Sequence, residues 1–144
     1  GVTCMGKLRH DDNLLASAYA AAAVFALPGQ TEAQPMAALE ALAAGTPVVN
    51  SSGSDLAIPD SGFALKTVIP GDTTGIKRAV IGFIEQPPKR AAVRSLVSDL
   101  TWDRIAQRLG RCYVELADGR KRDGPPAGLV QRAAPSSSRL YTGP

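Results

Sequence analysis

Residues 24–50, VFALPGQTEAQPMAALEALAAGTPVVN, decide the fold. An apolar run stops at Pro28 and Gly29, a helical stretch of small residues extends from Pro35 to Gly45, and a second apolar run, PVVN, follows at once. Pro35 suits a first helical turn, because its fixed φ is helical and its missing N–H is not needed there. Gly45 suits the left-handed position just past the last turn. The unit therefore reads strand, helix, strand, with the helix crossing over between two parallel strands.

The same alternation continues outward. Upstream, VTCMG at 2–6 reads as a short strand, and DDNLLASAYAA at 11–21 as a helix capped by Asp11 or Asp12, with Leu14, Leu15, Ala18 and Tyr19 at helical spacing. Downstream, GFALKTVIPGD at 62–72 carries strand and turn signals. Asp72 or Thr73 then caps a helix whose Ile76, Val80, Phe83 and Ile84 stripe faces the core until Pro87 and Pro88 break it. KRAAVRSLVSDL at 89–100 reads as a helix, and another starts near Thr101 with Trp102, Ile105, Leu109, Cys112 and Leu116 on one face. There is no internal repeat. The fold class is α/β: an open parallel sheet of three or four strands with covering helices.

The distribution of charge limits the partners. The net charge of +3 lies wholly in residues 117–144, which carry five basic and two acidic side chains, while residues 1–116 carry eleven of each. Phosphate-backbone binding needs clustered cations, so the folded part is not read as a nucleic-acid module. Residues 117–144 are rich in Pro, Gly, Ser and Arg and poor in large apolar residues, and read as a disordered basic tail. Its GRKRDG run at 119–124 admits peripheral contact with an anionic membrane, against the blander reading of a solvated tail. No apolar run reaches the roughly 20 residues that span a bilayer, and no signal-peptide pattern opens the chain; a soluble, cytoplasmic protein is expected. Cys4 and Cys112 form no metal-ligand or redox spacing and are read as small buried apolar residues.

In an open α/β sheet, ligands bind outside the carboxyl ends of the strands, where loops lead into helix N-termini. PGQTEAQP at 28–35 is such a loop. The first N–H groups of the helix it feeds lack intrahelical partners and carry the positive end of the helix dipole, which suits a diphosphate. Glu32 lies ahead of that position and can accept from neutral hydroxyls, while Glu40, about one turn inside, can accept two hydrogen bonds from a vicinal diol. A phosphate-plus-polyol ligand, such as a nucleotide sugar, matches these groups. The competing reading is structural: a glutamate ahead of a helix complements its dipole, one inside a helix faces water, and AALEALAAG simply packs close on a sheet.

Residues 32–49 resemble the E-x7-E signature of retaining GT-B glycosyltransferases of the glycosyl transferases group 1 (family four) type, written E-G-F-G-x-x-x-x-E-A-M-A-x-G-x-P-V-V. The matching residues are Glu32, Glu40, Ala41, Ala43, Gly45, Pro47, Val48 and Val49. The flanking VTCMGKLRHDDNLLASAYAAAAVFALPG is similar to that family's strand, helix and a-D-v-f-v-l-P-S strand, and LTWDRIAQRLGRCYVEL resembles its closing helix, with Trp102 and Ala106 in the W-x-x-x-A element. The likeness covers residues 1–116 and implies a partial nucleotide-sugar-binding domain, the Rossmann-like C-terminal part of a GT-B fold.

The resemblance further implies roles. Glu32 contacts hydroxyls of the transferred sugar, together with Ala33, Gln34 and Pro35. Met36, Ala37 and Glu40 serve the nucleotide, Glu40 through the ribose hydroxyls, and backbone amides from Ala33 to Ala37 face the sugar and distal phosphate. Neither glutamate is then a conventional acid or base, no cofactor or metal is called for, and the nucleotide sugar is the donor substrate. The sequence departs from the family pattern in carrying Ala33, Gln34 and Pro35 for G-F-G, and in lacking the glutamate of a following G-G-x-x-E element, which GSDLAIPD at 53–60 matches only loosely, with Asp60 as a substitute to which no role is carried. The family's diphosphate-binding Arg and Lys have no counterpart, and His10 reads as a loop residue. The expected partner is therefore an N-terminal acceptor domain or a separate chain that supplies it; a noncatalytic remnant is the alternative.

Overall fold

The computed structural model describes residues 1–9, 12–29, 35–54, 56 and 58–118. Glu32, Ala33 and Gln34, together with His10, Asp11 and the tail from residue 119, lie outside the described residues. Three strands, β1 (Phe25–Leu27), β2 (Val48–Ser51) and β3 (Leu65–Val68), form one parallel sheet in the order β1-β2-β3. Phe25 pairs with Val48 and Leu27 with Asn50 on one side of β2, and Val48 pairs with Leu65 and Ser51 with Val68 on the other. The central strand is buried at every residue, as a middle strand of a sheet covered on both faces is, although Asn50 and Ser51 at its end are polar.

Among the described residues five helices accompany the sheet: α1 (Asn13–Ala21), α2 (Met36–Ala43), α3 (Thr73–Glu85), α4 (Arg90–Ser95) and α5 (Trp102–Ala117). Their starts follow local chemistry. The carboxylate of Asp12 accepts from the Leu14 N–H at 2.8 Å, that of Asp72 from the Gly75 N–H at 2.9 Å, and the Thr101 hydroxyl from the Arg104 N–H at 3.4 Å. The pleat of β2 sends its side chains to two cores. Val48 packs with Ala38, Ala41 and Leu42 of α2 and Val93 of α4, whereas Val49 packs with Val68, Ala79 and Phe83 on the α3 side. Ala38 and Ala41 have no exposed surface, so the small residues of α2 let that helix lie close on the sheet.

The end of α2 joins several segments. Gly45 has φ +85°, its N–H donates to the Leu42 carbonyl and the Thr46 N–H to the Ala41 carbonyl, which together make a Schellman cap. A Cβ at Gly45 would lie 3.0 Å from both the Cβ and the carbonyl oxygen of Arg90. Arg90 also donates to the Thr46 hydroxyl at 3.4 Å and to the Ala22 carbonyl at 3.0 Å, and the Thr46 hydroxyl donates to the Tyr19 carbonyl at 2.6 Å. Arg94 donates to the Ala44 carbonyl at 3.3 Å. One fully buried threonine thus links α1, α2 and α4.

Four expectations are corrected. Residues 2–6 form no strand: Val2 and Met5 are exposed, and β1 has β2 as its strand neighbour among the described residues. An apolar run becomes a strand only when another strand completes its hydrogen bonds. Ile84 is exposed, and Ala79 takes its place on the inner stripe of α3 beside Ile76, Val80 and Phe83. Cys4 is exposed and Cys112 half-buried, because the first lies in the unpaired opening segment and the second on α5, which has no buried residue. Pro35 stands at the N-cap, one residue ahead of the first turn of α2. No helix among the described residues is long and apolar enough to cross a membrane.

Candidate functional site at the carboxyl end of the sheet

Leu27, Ser51 and Val68 end the three strands on one side of the sheet, and α2 begins on that same side after the loop that leaves β1. Pro35 is buried and contributes its carbonyl, which accepts from the N–H of Ala38 at 3.0 Å and of Leu39 at 3.3 Å. As a proline it has no N–H to offer a ligand. The N–H groups of Met36 and Ala37, by contrast, come before the first intrahelical hydrogen bonds. They give the site its donors.

Met36 and Glu40, one turn apart on α2, are both exposed, and Ala37 is half-buried between them. Glu40 faces α1, where it hydrogen-bonds the hydroxyl of Tyr19. Burial raises the pKa of that hydroxyl above its ordinary value of 10.0, and the negative charge of Glu40 and the hydrogen bond to it raise it further. The Tyr19 ring is itself fixed edge-on against Phe25, with centroids 5.4 Å apart at 74°. Periodicity placed Tyr19 on the inner face of its helix without revealing that its hydroxyl reaches a candidate site residue; that contact depends on how α1 crosses α2.

Two further polar groups were not singled out by the sequence. Asn50 and Ser51 are 2% and 1% exposed at the end of β2, and neither Asn50 Oδ1 nor Ser51 Oγ has a hydrogen-bond partner. The signal available in the sequence was the switch from Val48-Val49 to two polar residues at the carboxyl end of the middle strand. Asp60, further along the β2–β3 connection, has a left-handed backbone with φ 54°. No group of three His, Cys, Asp or Glu side chains able to hold a metal ion occurs among the described residues. Two cavities, one beside Gln107, Arg111 and Val114 of α5 and one between Gly45, Pro47, Phe83 and Arg90, include none of these carboxyl-end residues. The carboxyl-end residues thus lie outside both cavities.

The family model for glycosyl transferases group 1 matches residues 1–86, which span β1, α2, β2, β3 and α3. The chain belongs to this family. It is similar to the glycogen synthases of two Mycobacterium tuberculosis strains, CDC 1551 / Oshkosh and ATCC 25618 / H37Rv, each 32% identical over 137 residues. Those alignments take in 91% of this chain and 33% of each relative, so the chain spans about a third of the length of the curated relatives it matches. No solved structure matches it significantly. Family membership agrees with the resemblance read from Glu32 to Val49, and the parallel three-stranded sheet agrees with the fold class that resemblance implied.

Proposed function

We propose that this chain is the donor-binding part of a retaining glycosyltransferase that takes a hexosyl group from a nucleotide sugar. The observation that carries the reading is Glu40, an exposed carboxylate one turn inside a helix whose free N-terminal amides open at the carboxyl end of a parallel sheet. In this reading the Met36 and Ala37 amides face the diphosphate, Glu40 accepts from the ribose hydroxyls, and Glu32, Ala33 and Gln34, with the Pro35 turn, meet the transferred sugar.

The chemistry follows from charge. The bond between the anomeric carbon and the diphosphate oxygen breaks, and its electron pair stays on the diphosphate. The acceptor hydroxyl oxygen bonds to the anomeric carbon on the same face and yields its proton to the departing diphosphate. The contribution of α2 is to meet the developing negative charge with preorganised amides. The acceptor wall of the cleft belongs to parts beyond the third of the relatives' length that this chain spans, in the same polypeptide or in a partner chain.

Calorimetric titration of the 144-residue chain with UDP, ADP, GDP and their sugar conjugates tests this reading. Saturable binding of one nucleotide series, weakened in Glu40→Ala, is the expected result. A sample that melts cooperatively and binds none of them would make the chain a noncatalytic remnant of the family.

A further inference from the structure

Among the described residues, the side-chain oxygen of Asn50 is a buried polar atom without a hydrogen-bond partner. Its backbone is held in the ladder between Leu27 and Thr67, yet its side chain, 2% exposed, has no hydrogen-bond partner at Oδ1. Nearly all buried polar side chains in folded proteins are satisfied, and sealing an amide away without a partner is destabilising. Thr46, just ahead of the same strand, shows the ordinary case: it is equally buried, donates to the Tyr19 carbonyl and accepts from Arg90.

The pleat locates the orphan. Asn50 shares a face of β2 with Val48, which packs against Ala38, Ala41 and Leu42 of α2. It lies two residues nearer the carboxyl end, level with Leu27, from which the chain leaves β1 toward α2. Since α2 begins at the carboxyl end of the sheet and runs back over it, Asn50 lies on the α2 face at the end where that helix starts. Ser51 points to the opposite face, with Val49 and the α3 core. Asn50 and not Ser51 therefore shares a side of the sheet with Met36, Ala37 and Glu40.

We propose that Asn50 is a ligand-contacting residue of the donor site, its side-chain amide oxygen accepting a hydrogen bond from a hydroxyl of the bound nucleotide sugar. The inference rests on the donor-site reading of α2. An amide oxygen is an acceptor and repels phosphate oxygens, so its partner is a hydroxyl and the diphosphate remains with the backbone amides of α2. That hydroxyl belongs either to the ribose or to the transferred sugar.

The test pairs stability with affinity in the full 144-residue chain, comparing wild type with Asn50→Val and Ser51→Ala. Valine fills similar space, suits a central strand and removes the orphan, so the melting temperature of Asn50→Val should equal or exceed that of wild type. Its affinity should fall about three- to tenfold, the loss of one neutral hydrogen bond. Titration with UDP, ADP, GDP, UDP-glucose, ADP-glucose and GDP-mannose separates the two hydroxyl sources. A loss shared by the diphosphate and its conjugate assigns the ribose, and a loss confined to the conjugate assigns the transferred sugar. Ser51→Ala should bind as wild type does. Unchanged affinity of Asn50→Val, or a lowered melting temperature, would overturn the proposal while leaving the donor site standing. Failure of the wild-type chain to bind any of the six would remove the donor-site reading, and this inference with it.

Discussion

The hydroxyl of Tyr19 on α1 meets the carboxylate of Glu40 on α2 at the seam between the two helices. The contact joins a residue of the structural scaffold to the residue on which the proposed nucleotide contact depends. It also gives the protein a titration. The pKa of Tyr19 is raised above 10.0 by burial and by Glu40, so its neutral form is favoured by folding. The stabilisation is complete below pH 10 and is lost as pH rises through the higher folded value. Thermal melts from pH 8 to 11 should show wild type losing stability above pH 10 more steeply than Tyr19→Phe. Parallel curves for the two proteins would mean that the hydroxyl and Glu40 do not interact in solution.

Glu40→Ala removes hydrogen bonds made by a charged acceptor, each worth about 1.5–3 kcal/mol, and should weaken nucleotide binding roughly ten- to a hundredfold. Glu40→Gln keeps one acceptor oxygen and should lose less. Because Glu40 is exposed, losing its contact with Tyr19 should cost no more than about 1 kcal/mol in urea unfolding. A large stability loss would place Glu40 in the scaffold instead of the site.

Gly45→Ala combines a left-handed backbone with a steric conflict, since the added methyl would meet Arg90 at 3.0 Å. We expect a destabilisation of about 1–3 kcal/mol in urea unfolding. A variant as stable as wild type would show that α4 yields without cost at this contact.

Leu42 has no exposed surface and sits between α2, β2 and α4, so Leu42→Ala should cost about 2–5 kcal/mol. Leu109→Ala on α5, where the side chain is half exposed, should stay within about 0.5 kcal/mol of wild type. Equal effects at the two positions would mean that α5 is packed in solution.

The part of the fold set by neighbouring residues was readable from the chain. Pro28-Gly29, Pro35 and Gly45-Thr46-Pro47 mark where β1 ends and where α2 starts and stops; of the residues offered as caps, Asp12 caps α1 and Asp72 caps α3, and Thr101, near which a helix was expected to start, caps α5. What depends on distant partners was less legible. VTCMG has the composition of a strand but no strand beside it, and Ile84 fits the α3 period yet lies beyond the width of the sheet that Ala79 and Phe83 cover. At the site, the acid at position 40 was visible as a motif, whereas its contact with Tyr19 and the sealed amide of Asn50 arise from helix crossing and strand pleat, which no linear spacing encodes.

The absence of any buried residue on α5 gives the molecule two tempos. The amides of Val48–Ser51, flanked by a strand on each side and covered by helices, can exchange with solvent deuterium only when the whole sheet comes apart. Those of α5 are guarded by little more than their own helical turns, and a lone helix of 16 residues is only marginally stable in water. Within one chain, a strand that holds its protons for the lifetime of the native state thus coexists with a helix that gives them up in brief local excursions.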